Sequence, residues 1–311
     1  MGIYGIMNTE KTQQKAYLLA LVAVAFWSTM SSAFKITLRY IPFDQLLMWS
    51  SLVGVIVLFT INQLGAKRIK ISDLNRKAIM SSAVMGLFNP FLYYLVLFKS
   101  YELLEAQIAG TLNYTWPIAL VLLSIPFLKQ KISWLSLLAI FISFIGIVII
   151  STKGNLTDLK ATDPLGVSLA VGSAFLWAIY WILNMKDKRE ETGKIMLNLL
   201  FGFLYIFIYL LISGVKITLP GTYAFVGIIY IGMFEMSITF VIWLKALNFS
   251  SDTAKVSNLI YLSPFLALFI IHLAVGEKIH VSTVSGLVFI VAGIIFQQTL
   301  GRSRKQFKKQ K

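Results

Sequence analysis

The sequence predicts an all-α integral membrane protein of ten transmembrane helices, built as two inverted five-helix repeats. Three observations predict this class. The 311 residues are 58% hydrophobic and 13% charged, with a mean hydropathy of +0.78, whereas a soluble domain carries roughly 25% charge. The apolar residues come in uninterrupted runs: 16–34, 132–152, 165–185 and 281–300 contain no Asp, Glu, Lys or Arg. About 20 such residues, rising 1.5 Å each, cross a hydrocarbon core of about 30 Å. Finally, motifs of the first half return in the second at a nearly constant offset of 146–150 residues. A soluble helical bundle would need polar stripes at every helical period, and these runs have none.

Span 1, 16–34, is too long for a cleavable leader and lacks a small-residue cleavage pattern, so it is expected to remain in place. Spans 2 to 5 follow at 43–64, 78–98, 104–128 and 132–152, and spans 6 to 10 at 164–185, 194–213, 222–244, 253–275 and 280–300. The connections are short and leave no room for a soluble domain. The expected organisation is a first repeat over 16–152, a second over 164–300, and a basic tail over 301–311.

Charge orients the spans. With the N-terminus placed in the cytoplasm, 21 of the 28 Lys and Arg fall in inside segments and 7 outside, so both termini are expected to be cytoplasmic. A net charge of +15 distributed between apolar runs suits anionic lipid and gives no reason to invoke nucleic acid.

The repeat is carried by several echoes. Ala25-Phe26-Trp27 matches Ala174-Phe175-Leu176-Trp177, and Gly86-x-Phe88 matches Gly232-x-Phe234. Lys99 matches Lys245, and Tyr114-x-x-Pro117 matches Tyr261-x-x-Pro264. Lys131-Ile132 matches Lys278-Ile279, and Gly146 matches Gly293. Five spans per half is an odd number, so the second half must insert upside down. Inverted repeats with a site near the bilayer midplane are a transporter architecture.

Trp27 and Trp177 occupy matched mid-span positions, away from the interfacial belt where Trp usually sits. They are candidates to line a shared cavity, although mid-span Trp also serves simple packing. Tyr180 and Trp181 follow Trp177 by three and four residues and share its helical face, which suits an apolar or aromatic ligand. Ser28 beside Trp27 and Tyr94 in span 3 join the candidate lining. Asn113 and Trp116 precede Pro117 in span 4. Proline frees a backbone carbonyl one turn earlier, and Asn in hydrocarbon needs a partner, either a ligand or a neighbouring helix. Span 9 repeats the arrangement with Asn258, Tyr261 and Pro264.

Glu235 is the one acidic residue deep inside a predicted span; Asp44 and Glu105 lie at span ends. Burying its charge costs about 2.5 kcal/mol or more, so it should face the interior, for a substrate amine, for a proton, or as a neutral structural group. His272 reads as interfacial, and Lys99, Glu102 and Glu105 as a solvated loop. There is no cysteine, P-loop, GxSxG or HExxH, so neither catalysis, a metal centre nor a cofactor is expected.

Phe26-Trp27-Ser28-Thr29-Met30, Asn113-Tyr114-Thr115-Trp116-Pro117 and Ala174-Phe175-Leu176-Trp177-Ala178-Ile179-Tyr180, set in ten spans, resemble the EamA family of the drug/metabolite transporter superfamily. Among its members the sequence is most similar to the bacterial aromatic amino acid exporters. The resemblance covers about residues 16–300. One departure is Gln130, where the family often carries an acid matching Glu277. The resemblance implies a secondary transporter in the cytoplasmic membrane of a prokaryote. It would export amino acids, aromatic or otherwise apolar, by alternating access, with the two halves rocking about a central cavity lined by helices 1, 3, 4, 6, 8 and 9. Export of another small metabolite or a drug cation is the runner-up, and lipid handling the alternative from a different class. The expected partners are a small-molecule substrate and the bilayer.

Overall fold

The computed structural model describes residues 3–65, 74–128, 134–155, 162–250 and 253–309, with side chains left undescribed at 3–11, 128, 136, 253–255 and 297–309. The loop basic residues Lys67, Arg68 and Lys70, the segment holding Lys129, Gln130, Lys131 and Ile132, Lys160, and the end of the tail lie outside the described residues.

Every described element is helical. In chain order they are α1 (Ile3–Thr37), α2 (Phe43–Leu64), α3 (Arg76–Gly86), α4 (Tyr93–Leu103), α5 (Ala106–Asn113), α6 (Trp116–Leu128), α7 (Trp134–Ser151), α8 (Pro164–Lys186), α9 (Glu191–Ile212), α10 (Thr222–Tyr230), α11 (Ile238–Phe249), α12 (Thr253–Asn258), α13 (Ser263–Val275) and α14 (Val281–Lys309). Eight helical stretches among the described residues are long and apolar enough to cross a membrane. Two shorter apolar helices, Leu137–Ser151 and Val281–Phe296, stand at the places of the fifth and tenth predicted spans.

Four of the eight stretches are broken near the middle, which fourteen helices on ten predicted spans reflect. The third span passes from α3 to α4 through a π turn, Leu87–Leu92, in which Asn89 is extended at φ −142°, ψ 119°. Pro90 is the cause: it has no N–H to donate, and its ring drives the preceding residue out of helical geometry. The eighth span passes from α10 to α11 through a second π turn, Ile231–Glu235. No proline acts there. Instead the Ser237 hydroxyl reaches back to the Gly232 and Met233 carbonyls, both at 2.8 Å, and so bonds groups that the interrupted ladder releases. The fourth span breaks between α5 and α6, ahead of Pro117. The ninth passes through a 3-10 turn, Leu259–Leu262, with Pro264 in the first turn of α13.

The chain divides into two compact units, neither of which is a sequence half. The first comprises Met1–Phe91 and Asp187–Gly276, the second Leu92–Lys186 and Glu277–Lys311. In the first unit α1 packs on α10, α11 and α13, α2 on α9 and the Ile231–Glu235 turn, and α3 on α9. In the second, α8 packs against α4, α5 and α6, while α7 pairs with α14.

Glycines set the closest crossings. In the first unit a Cβ on Gly86 would meet the Asn198 carbonyl at 2.5 Å, and one on Gly202 the Gly86 carbonyl at 3.0 Å. The same contacts recur between α2 and the eighth span: a Cβ on Gly232 would meet the Ser50 carbonyl at 2.6 Å, and one on Gly54 the Gly232 carbonyl at 3.3 Å. Gly54 to Gly202, Ser50 to Asn198 and Gly86 to Gly232 are steps of 146–148 residues. Within the second unit, Gly146 of α7 and Gly286 of α14 approach each other's carbonyls, at 2.5 and 2.7 Å from the missing methyls. Close backbone approach through small residues is how helices associate where lipid removes the hydrophobic driving force.

Candidate functional site

In the second unit, α8 presents Ser173, Trp177, Tyr180 and Trp181 along one face, at the spacing that stacks side chains on a helix. Trp177 lies 4.8 Å from the Tyr93 ring, 5.6 Å from Tyr180 and 6.0 Å from Trp181, which it meets edge-on. Tyr94 meets Tyr93 at 4.6 Å and Phe98 at 5.3 Å. Centroid separations in this range are those of favourable ring pairs.

Asn113 stands at the end of α5, where the fourth span breaks. Its amide donates to the Ser173 hydroxyl at 2.8 Å, and its oxygen accepts from the Tyr93 hydroxyl at 3.3 Å. The Ser173 hydroxyl in turn donates to the Ala170 carbonyl at 2.6 Å. Three elements therefore converge: the start of α4, the end of α5 and the middle of α8. Together they form an aromatic wall with an amide and hydroxyls beside it. The Trp181 indole N–H is shielded from solvent and has no hydrogen-bond partner among the described residues. Trp116 begins α6 half-buried.

The first unit holds Glu235, buried at the end of the Ile231–Glu235 turn. The turn packs on α1, α2, α10 and α11. Around it the Phe26 and Phe234 rings stack at 4.3 Å, and the Thr29 and Tyr230 hydroxyls bond at 2.8 Å. Trp27 lies elsewhere in the unit, edge-on to Phe240 at 5.6 Å and Trp243 at 5.4 Å, against the buried cluster of Ala20, Ala23, Val24 and Ala246. The two matched tryptophans therefore have different surroundings. Ser28 is fully buried, donates to the Val24 carbonyl at 2.6 Å and lies 3.3 Å from the Ser263 hydroxyl. Asn258 is exposed at the end of α12, and Tyr261 is half-buried in the following turn.

Sequence reasoning missed Tyr93 and Ser173. Ser173 was findable, since it precedes Trp177 by one turn on the same face. Tyr93 carried no signal beyond its adjacency to Tyr94.

Two polar clusters mark helix ends. In the second unit, Glu105 differs from the solvated residue expected. It pairs with Lys153 at 3.0 Å and with His280 Nε2 at 2.7 Å, and accepts from Gln107 at 3.0 Å. Glu277 accepts from the Ala106 and Gln107 backbone N–H groups at 2.8 and 3.1 Å, occupying the positive end of α5. Burial raises the Glu105 pKa, but the bonds from Lys153 and His280 outweigh it, and the carboxyl sits below its ordinary value. In the first unit, Asp187 pairs with Arg189 at 2.6 Å and accepts from Ser81 at 3.1 Å. Burial raises that carboxyl as well, and the Arg189 bonds bring it below the usual range. His272 is exposed in the last turn of α13. Among the described residues no group of three or more His, Cys, Asp or Glu could hold a metal ion.

The chain is 24% identical over 307 residues to an uncharacterized transporter of Clostridium kluyveri, spanning 95% of this chain and 97% of that relative. It is 29% identical over 194 residues to the aromatic amino acid exporter YddG of Salmonella typhimurium, spanning 58% of this chain and 63% of the exporter. Against the YddG of Escherichia coli the identity is 28% over 200 residues, 61% of this chain and 66% of the exporter. A solved crystal structure, 18% identical, shares the fold with a TM-score of 0.63, covering 92% of this chain and 98% of that one. The EamA-like transporter family matches residues 14–152 and 164–297, so this multi-pass membrane protein belongs to that family.

Proposed function

We propose that the protein is a secondary transporter that exports amino acids with aromatic or other apolar side chains across the cytoplasmic membrane by alternating access. The observation that carries this reading is the wall of Trp177, Tyr180, Trp181 and Tyr93 beside the Asn113–Ser173 amide–hydroxyl pair at the break of the fourth span. Rings supply apolar area and directional contacts for an aromatic side chain, and a few placed polar groups orient a ligand's polar end. Broken helices at mid-span expose backbone groups where transporters bind substrates and ions. The partial likeness to YddG exporters supports the same substrate class.

The proposed topology is ten spans in two inverted halves with both termini cytoplasmic. Its support is the positive-charge bias and the glycine contacts that recur at the repeat offset. A second reading, export of an organic cation, is favoured by the buried Glu235 carboxyl, which follows Phe234 in a turn where that ring stacks on Phe26, since cations bind both carboxylates and ring faces.

Counterflow into proteoliposomes with a panel of labelled compounds separates the readings. Exchange of phenylalanine, tyrosine and tryptophan well above alanine and above quaternary ammonium cations is expected. Exchange of the cations alone moves the assignment to the second reading, and exchange of no amino acid rejects the first.

A further inference from the structure

Asn89 occupies the break of the third span as Glu235 occupies the break of the eighth. Both sit in π turns at the middle of a predicted span, 146 residues apart, the offset that also relates Gly86 to Gly232. The surrounding contacts correspond: Pro90 packs on Gly202 of α9, and Met236 packs on Gly54 of α2. The polar side chain at each break is thus presented on an equivalent scaffold within the first unit, a carboxyl in one case and a neutral amide in the other.

The Asn89 backbone is extended, at φ −142°, ψ 119°, so it leaves the helical path at this residue. Its amide oxygen is out of reach of solvent and accepts no hydrogen bond among the described residues. Along the same seam, the Asn198 amide donates to the Met85 sulfur at 3.7 Å, while its oxygen also accepts none. A buried acceptor without a donor costs free energy. Two such acceptors on one seam lack donors among the described residues, which a ligand rich in N–H groups would supply.

We propose that Asn89 is a substrate-contacting residue whose amide oxygen accepts a hydrogen bond from an ammonium group of the transported molecule, and that its neutrality, where the repeat-related position carries the acidic Glu235, sets a preference for zwitterions over cations. A second carboxylate at this depth would add attraction for a net positive ligand. The inference rests on the export reading above.

The test is counterflow by wild type, Asn89→Leu and Asn89→Asp with phenylalanine, with phenethylamine, which lacks the carboxylate, and with 3-phenylpropionate, which lacks the amine. Asn89→Leu is expected to lower exchange of the two amines about tenfold, the factor associated with losing a hydrogen bond to a charged group, and to leave phenylpropionate within about twofold. Asn89→Asp is expected to shift the ratio of phenethylamine to phenylalanine about tenfold toward the cation. This variant nearly preserves shape, so the selectivity measurement stands even where Asn89→Leu folds poorly. Equal losses on all three compounds with Asn89→Leu, or an unchanged ratio with Asn89→Asp, overturn the assignment. Wild type that exchanges neither phenylalanine nor phenethylamine instead overturns the export reading, and the Asn89 assignment with it.

Discussion

At the scale of single residues, the aromatic face of α8 gives the sharpest expectations. Trp177→Ala removes the ring that Tyr93, Tyr180 and Trp181 surround. Exchange of tryptophan and phenylalanine should fall about tenfold or more, while that of alanine changes about twofold, because the lost area matters only to a ligand that fills it. Equal loss for all substrates with poor expression would assign the ring to packing. Glu235→Gln keeps size and hydrogen bonding but cannot ionise. If Glu235 carries the coupling proton, substrate-for-substrate exchange survives and pH-driven accumulation is lost. If it meets the amine, affinity falls; if neither changes, the carboxyl is structural. We expect the affinity to fall. The one-turn spacing of Trp177 and Trp181 was legible in sequence because a helix face is a matter of spacing. The surroundings of Trp27 were not, since a matched position in a repeat says nothing of which helix packs on it, and α11 fills that space with Phe240 and Trp243.

At the scale of elements, the breaks in the fourth and ninth spans were legible through Pro117 and Pro264, which lack an N–H to continue the preceding helix and suit the first turn of a new one. The third-span break has the same cause in Pro90, hidden in an apolar run. The eighth-span break has no proline and rests on Ser237 bonding back to two carbonyls, a choice no composition reveals. The glycine crossings are testable. Gly86→Leu would drive a side chain into the Asn198 carbonyl and should cost about 1–3 kcal/mol, seen as a lower Tm of the detergent-solubilised protein. Gly172→Ala, with nothing within 4 Å of the added methyl, should leave Tm unchanged or slightly raised. The clasp at the start of α5 should respond to pH. The Glu105 carboxyl is lowered in the folded state, so its contribution is complete above the ordinary carboxylate pKa and is lost as pH falls through the lowered value. Glu105→Gln should flatten Tm against pH over that acidic window and leave it unchanged in shape near neutrality. An identical acid limb in wild type and variant would deny the clasp that role.

For the whole molecule, the hydrophobic runs made the membrane class and the all-helical fold plain, because the bilayer admits no other use for twenty apolar residues in a row. The division into compact units was not legible. The sequence repeats by halves, whereas each unit combines helices of both, with the boundary falling at Phe91 and Leu92 inside the third-span break. A reporter fused after Lys311 that is active only outside the membrane should be silent, because 21 of 28 basic residues lie on the side assigned to the cytoplasm; strong activity would reject the ten-span topology. The central claim, export of aromatic amino acids, is tested most directly by efflux of labelled phenylalanine preloaded into proteoliposomes. Efflux that depends on the protein, saturates, and is competed by tryptophan more than by alanine is the predicted result. Efflux no faster than from protein-free liposomes, with the protein shown to be folded, would contradict it.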